Sequence, residues 1–442
     1  MSILDDQGYD EATQVFNLHG RPHPAAARTV RTVEDVRAAI AYARSHHLTV
    51  RVHSTGHGAA AARPMDGAFL LRTALAGGVE IDPAARTARV PAGTRWGDVV
   101  DAAAAHDLAA PHGSSADVGV VGYLLRGGVS VYGRSAGLAV NSVTAVELVT
   151  ADGEARRVDA TNDPELFWAV RGGGGGFGVV VAVELRLSPA QPVVTGSAYW
   201  PARHAQALLD RWTRWASTAP WAVTSAFQVL NLPDVPIVPP ELKAGTMIGV
   251  AATEVGDAAG GLADLLAQLR AVAEPVVDVW VPCTAAEVVR AQLGPDEPLP
   301  IVGDHMLLGA LDARGRATFL DLTTSGSPLV TAELRQLGGA LAVPHPDGGA
   351  LDHYEAAYSY LGNAIPDGPE AAAVIEKHCA VIRAALAPWD TGRTAPTFVE
   401  SWRQPQRHLG DAQVERADRV RTRVDPEGIF RRDAAPGTTA LL

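Results

Sequence analysis

The spacing of apolar positions divides the chain into alternating helical and extended stretches. In residues 28–47, RTVRTVEDVRAAIAYARSHH, Val36, Ile40 and Ala43 recur on one helical face and Thr32 is placed to cap, which predicts a helix. LTVRVHS follows as a strand, and 68–72 as a short apolar strand. GGVEIDPAARTARVPAGTRW alternates on both sides of Asp82-Pro83 and predicts a hairpin; VTAVELVTADGEARRVDAT does the same about Asp152-Gly153. TRWGDVVDAAAAHDL reads as a helix, and 109–143 as a long loop-rich span. PELFWAV is a short helix with Pro164 at its first position and Asn162 or Asp163 as cap, followed by the strand GVVVAVELRLS. This is a mixed α+β pattern up to about residue 190. From 196 the texture changes. Trp and Pro become common, 246–255 and SPLVTAELRQLGGAL read as strands, and 369–387 as a helix. The last fifty residues carry one more helix, LGDAQVERADRVRTRV, and close on VDPEGIF.

A chain of 442 residues exceeds one core and implies two domains or a large insertion. Hydrophobic residues make up 47% and charged residues 19%, an ordinary globular balance. The net charge of −12 argues against a nucleic-acid surface, because phosphate contacts need a basic face. Cys283 and Cys379 form no CxxC pair, so neither a disulfide scaffold nor a thiolate metal site is expected. The acidic start lacks an apolar signal core, and no apolar run is long enough to span a bilayer. A cytoplasmic protein without membrane or nucleic-acid partners is expected.

Two glycine-rich stretches carry candidate chemistry. RGGGGGFG holds a GxGxxG at Gly173, Gly175 and Gly178, but a helix precedes it and a strand follows. A dinucleotide fingerprint has the opposite order, with the helix start meeting the pyrophosphate, so that reading is rejected. A tight helix-to-strand turn and a close backbone approach to a ligand both remain open. GSSADVGVVGYLLRGGVSVYG (113–133) spaces glycines among apolar residues, which lets backbone N–H groups pack on a ligand. In HSTGHG a single imidazole, His57, stands between two glycines.

Taken together and in order, these pieces resemble the berberine-bridge-enzyme-like group of FAD-linked oxidases, of the vanillyl-alcohol-oxidase type. RVHSTGHG matches the family's R-S-G-G-H loop, GSSADVGVVG its G-x-C-P-x-V-G-x-x-G segment, PELFWAVRGGGGGFGVV its glycine run, and VDPEGIF its closing VDPxxxF. The richness in Ala, Gly, Arg, Pro and Val matches a GC-rich genome of the actinobacterial kind. The resemblance implies an α+β fold. A PCMH-type FAD-binding domain (1–190, completed by 395–442) would enclose an inserted substrate domain, an antiparallel sheet backed by helices (191–394). It implies FAD held covalently through His57, with His53, Ser54, Thr55, Gly56, Gly58, Ser115, Val118, Gly119, Gly122, Gly128, Gly178 and Val180 around the cofactor. Relatives with a second linkage use the cysteine of G-x-C-P. Ser115 stands there, so one bond is expected. Val118 falls at the position that governs oxygen access.

The resemblance breaks in three places. One is the family's closing N-H-P, which becomes DAAP at 433–436 and removes a polar contact. The family's Y-x-N-F-x-E becomes APTFVES, so Ala395 and Thr397 replace the tyrosine and asparagine while Phe398 and Glu400 remain. Tyr358 and Tyr360, which share a strand face, and Glu400 are the candidate catalytic groups; Glu333 and Arg335 share a face, with Gln336 on the other. Arg126 stands where the family has glycine, either to reach a phosphate or to crowd the ring. The expected reaction is oxidation of a small-molecule alcohol, amine or biosynthetic intermediate. Hydride would pass to flavin N5, and O2 would re-oxidise the flavin to give hydrogen peroxide. The missing tyrosine and Arg126 motivate an alternative, a redox-neutral cyclase or rearrangement enzyme.

Overall fold

The computed structural model describes residues 6–431 except 237, 257–259, 292–296 and 325, together with 436 and 437. Of the DAAP stretch at 433–436, all but the last residue lies outside the described residues. Three sheets organise the chain. The first is small and parallel, in the order Ala26–Val30, Ala68–Thr73, Thr49–His53. The second is antiparallel, in the order Glu80–Asp82, Thr87–Pro91, Val179–Arg186, Val143–Val149, Ala155–Asp159. Both expected hairpins are in it. The third is a seven-stranded antiparallel sheet in the order Val277–Cys283, Val193–Pro201, Met247–Val255, Val223–Leu230, Thr331–Gln336, Tyr358–Ala364, Val302–Leu308. It draws all its strands from 193–364, the stretch whose composition differs.

Two expectations about local structure are corrected. Residues 28–30 are strand, and the helix runs Val33–Ser45. Thr32 caps it in a capping box with Asp35, at 3.0 Å from the Asp35 amide. The 109–143 span also contains helix, Val120–Leu125 and the single turn Gly133–Ala136.

Helices cover one face of the large sheet. Ala205–Ala216 and Ala313–Thr323 bury Leu208, Leu209, Trp212 and Phe319 against it, and Pro369–Leu386 adds Ile375 and Ile382. Burying each such large apolar side chain favours folding by ~1.5–3 kcal/mol. The Trp212 indole donates to Ser225 Oγ, which donates on to Gln336, so this polar chain within the core is satisfied.

A buried cation joins this sheet to the N-terminal part of the chain. Arg134 lies on the turn Gly133–Ala136 and is 4% exposed. Its guanidinium donates to the carbonyls of Val223 (2.8 Å), Ala219 (2.9 Å) and Leu337. No carboxylate pairs with it in these contacts, and burial lowers its pKa to about 10, so it stays charged at neutral pH. The chain end returns to the first sheet: the Val50 amide donates to Ile429 O at 2.7 Å and the Arg431 amide to Val50 O at 3.2 Å. The Asp425 carboxylate holds that turn by accepting from the amides of Ile429 and Phe430.

Arg134→Ala strands those carbonyls in a dry interface, and is expected to lower stability by ~3 kcal/mol or more in urea unfolding. Arg134→Lys should recover little of that, because one ammonium cannot span carbonyls on separate segments.

Candidate cofactor and active site

The strand Thr49–His53 ends in a loop whose shape is set by the N-terminal segment. The amides of Phe16 and Asn17 donate to Thr55 O (3.0 Å) and Gly56 O (3.3 Å). Gly56 has φ +76°, and a Cβ there would stand 2.6 Å from Val15 Cα, so only glycine lets the segment close in. These contacts use the carbonyl side of the loop. The amides of Ser54, Thr55, Gly56, His57 and Gly58 donate to no acceptor among the described residues. A run of free amides is an anion cradle.

His57 sits within it. Its ring stacks on Phe16 at 3.9 Å between centroids and 15° between planes. Nε2 is buried and has no partner. Desolvation lowers the pKa to about 4, against the raising effect of a hydrogen bond to the Asp117 backbone. The imidazole is therefore neutral at physiological pH, with one nitrogen uncommitted. The Ser54 hydroxyl is likewise buried without a partner.

A cavity of about 270 Å³ opens over this loop. Of the residues expected around a cofactor, His53, Ser54, Thr55, Gly56, His57, Gly58, Val118, Gly119, Gly122, Gly178 and Val180 line it. Ser115 and Gly128 are not in the lining. Ser115 Oγ accepts from the Asp117 amide at 3.3 Å, and Gly128 packs on Tyr123, whose ring leaves no room for a Cβ. His53 Nε2 is committed to Ala12 O at 2.6 Å.

The glycine run is the tight helix-to-strand turn. Helix Pro164–Val170 precedes it and strand Val179–Arg186 follows, so it is a turn, with Gly174, Gly175 and Gly176 all at positive φ. Those three glycines also line the cavity. Arg421 donates to the carbonyls of Gly173 (3.0 Å) and Gly175 (3.1 Å) and so fixes the loop from behind.

The nominated catalytic residues separate. Tyr358 and Tyr360 do share a face, but it is the helix-covered one. Tyr360 is 0% exposed and meets Phe319 edge-on; Tyr358 packs against Trp212. Burial pushes the Tyr358 phenol up to about 12, and Tyr360 well above its ordinary value. Neither lines the cavity, and neither is carried forward as a base. Glu400 is next to it. Thr397 and Pro396 are in the lining, and Asn17, the neighbour of Phe16, donates to Glu400 Oε2 at 3.4 Å. Burial raises the Glu400 pKa to about 7, opposed by Asn17 and by the charge of Arg126. Glu333 and Arg335 form a polar strip on the uncovered sheet face: Gln228 donates to Glu333 (2.9 Å), and Arg335 pairs with Glu333 (2.8 Å) and lies over Phe398.

Sequence reasoning missed Phe16 and Asn17, which lie in no motif and reach the site only through tertiary contact. It also missed His408, which lines the cavity and contacts Gly172 O at 2.8 Å.

The residues present suit a flavin dinucleotide. A run of free amides can meet a pyrophosphate, glycines admit a flat ring closely, and a neutral imidazole keeps a bare nitrogen. Comparison with known proteins agrees. Residues 24–159 match the model of an FAD-binding domain. Among the relatives it resembles are proteins named FAD-linked oxidoreductases. The chain is 36% identical over 183 residues to (R)-6-hydroxynicotine oxidase of Paenarthrobacter nicotinovorans, which covers 41% of this chain and 40% of that protein. The chain spans about half the length, or less, of the curated relatives it matches. Its fold is the PCMH-type FAD-binding fold with an additional antiparallel sheet. BBE-like 1 of Physcomitrella patens superposes with a TM-score of 0.82 at 19% identity, over 99% of this chain and 96% of that one. Glucooligosaccharide oxidase of Acremonium strictum, described with a 6-S-cysteinyl, 8α-N1-histidyl FAD, gives 0.79 at 18% identity, over 99% and 95%. No described helix is long and apolar enough to cross a membrane.

Glu400 gives a stability test. Its carboxyl binds a proton more tightly folded (about 7) than unfolded (4.5). The stabilising contribution is complete below pH 4.5 and is lost as pH rises through about 7. The stability of the wild type relative to Glu400→Gln should therefore fall across that window, as measured by urea unfolding at several pH values.

Proposed function

We propose that this protein is an FAD-dependent oxidase of a small-molecule alcohol, amine or biosynthetic intermediate, with FAD attached once, through His57. The observation that carries the reading is the buried, unpartnered Nε2 of a neutral imidazole stacked on Phe16 at the cavity wall. Residues 1–190 and 395–442 would hold the cofactor, and 191–394 the substrate. FAD, when bound, supplies a two-electron acceptor for substrate hydride, with O2 as final oxidant and hydrogen peroxide as product.

The protein's part is positioning and proton handling. The amides of Ser54–Gly58 and the Gly174–Gly176 turn would hold phosphate oxygens. Phe16 keeps the His57 ring in one plane. Ser115 stands where the second linkage of some relatives would need a thiol, which supports a single bond. Glu400, near half-ionised at neutral pH, is assigned as the proton acceptor for the substrate O–H or N–H, since the conventional tyrosine is absent and Tyr358 and Tyr360 face away. Two of the similar proteins named above are oxidases, which supports net oxidation over a redox-neutral rearrangement.

Acid precipitation tests the attachment. The yellow colour should stay in the pellet, and peptide mass mapping should find FAD on the peptide containing His57. His57→Ala should release it to the supernatant. Colour in the wild-type supernatant would refute the covalent assignment. Once a substrate is found by peroxide screening, Glu400→Gln should reduce kcat/KM by ~10²-fold or more and remove a limb that rises with pH near 7.

A further inference from the structure

Arg126 is the one departure from the family pattern that puts a new charge into the cavity. It caps the C-terminus of helix Val120–Leu125 and lines the cavity with His57, Gly58 and Thr397. Its Nη1 lies 2.6 Å from where a Gly58 Cβ would stand, so the guanidinium occupies space left by the missing side chain of the residue after His57. Its side chain makes no hydrogen bond or ion pair with a described residue. His408 and Glu400 are close enough to feel its charge, and Glu400 lies beside the cavity and not in its lining. His57 and His408 are held neutral by burial, and the Glu400 carboxyl is partly protonated near pH 7.

We infer that Arg126 is a cofactor-tuning residue: it supplies the counter-charge for the negative charge that the flavin ring acquires on two-electron reduction. This rests on the reading above, which puts the ring at His57. Hydride brings two electrons and one proton, so the reduced ring carries one negative charge unless a second proton joins it. A fixed guanidinium beside the ring offsets that charge without the second proton. The substrate loses hydride and, to the base, one proton. O2 later takes the two electrons with two protons. Arg126 changes the driving force of the first half and contributes no atom to either.

Sulfite is a probe that needs no substrate, because its addition to the oxidised ring places one negative charge there. Arg126→Gln should weaken the sulfite Kd by roughly tenfold, and lower the two-electron midpoint potential by the corresponding ~30 mV. Arg126→Lys should keep most of the wild-type affinity. FAD content and thermal unfolding establish that each variant is folded and loaded. Fully loaded Arg126→Gln with wild-type sulfite affinity would overturn the inference. So would loss of FAD from Arg126→Gln with retention in Arg126→Lys, which would make Arg126 a phosphate anchor. A wild type that carries no FAD and takes none up would overturn the oxidase reading itself, and this inference with it.

Discussion

A backbone N–H removed from water needs an acceptor, and around this cavity the protein withholds one. The carbonyls of Thr55 and Gly56 are engaged by Phe16 and Asn17, and that of Gly175 by Arg421, while the amides of Ser54–Gly58 meet no acceptor among the described residues; both stretches line the cavity. Much of the surrounding architecture serves that asymmetry. The N-terminal segment grips the first loop, a helix near the other end of the chain grips the second, and glycines stand wherever a Cβ would fill the gap. The amides of the first loop are left for a ligand to meet.

The elements that a local pattern can specify were legible. Both hairpins, the capped helix behind Thr32 and the helix–glycine–strand order follow from periodicity and turn chemistry, and the motif order identified the cofactor. What failed depends on contacts distant in sequence. Residues 28–30 read as helix because Arg28 and Thr29 carry no strong local preference; their strand is imposed by parallel pairing with Leu71 and Arg72. The segment 120–125 is helix within a glycine-rich context that argues locally for loop. The direction of Tyr358 and Tyr360 was also hidden. Alternation tells which residues share a face, but not which face of the large sheet the helices cover. Val302–Leu308 is buried at every position, so no exposed face marks the orientation. Phe16 and Asn17 left no trace because nothing near them in sequence resembles a site.

The two halves of the molecule are joined by chemistry unlike that of their cores. Each core is apolar, whereas the seam is held by Arg134 reaching three carbonyls on two segments, by Arg171 donating to Asp347 O, and by Asn17 bonding Ile301 O. Such contacts fix one relative orientation, because directed donors tolerate little sliding, while leaving space between the uncovered sheet face and the cavity.

The lining of the cavity runs in sequence from Pro22 to Arg431. This has a consequence for the protein's life history. A chain still emerging from the ribosome has made His57 and the first glycine loop long before Phe430 and Arg431 dock beside Val50. The wall is incomplete until Phe430 and Arg431 have been made and docked. Any ligand that needs the whole wall is captured only after segments far apart in sequence have met.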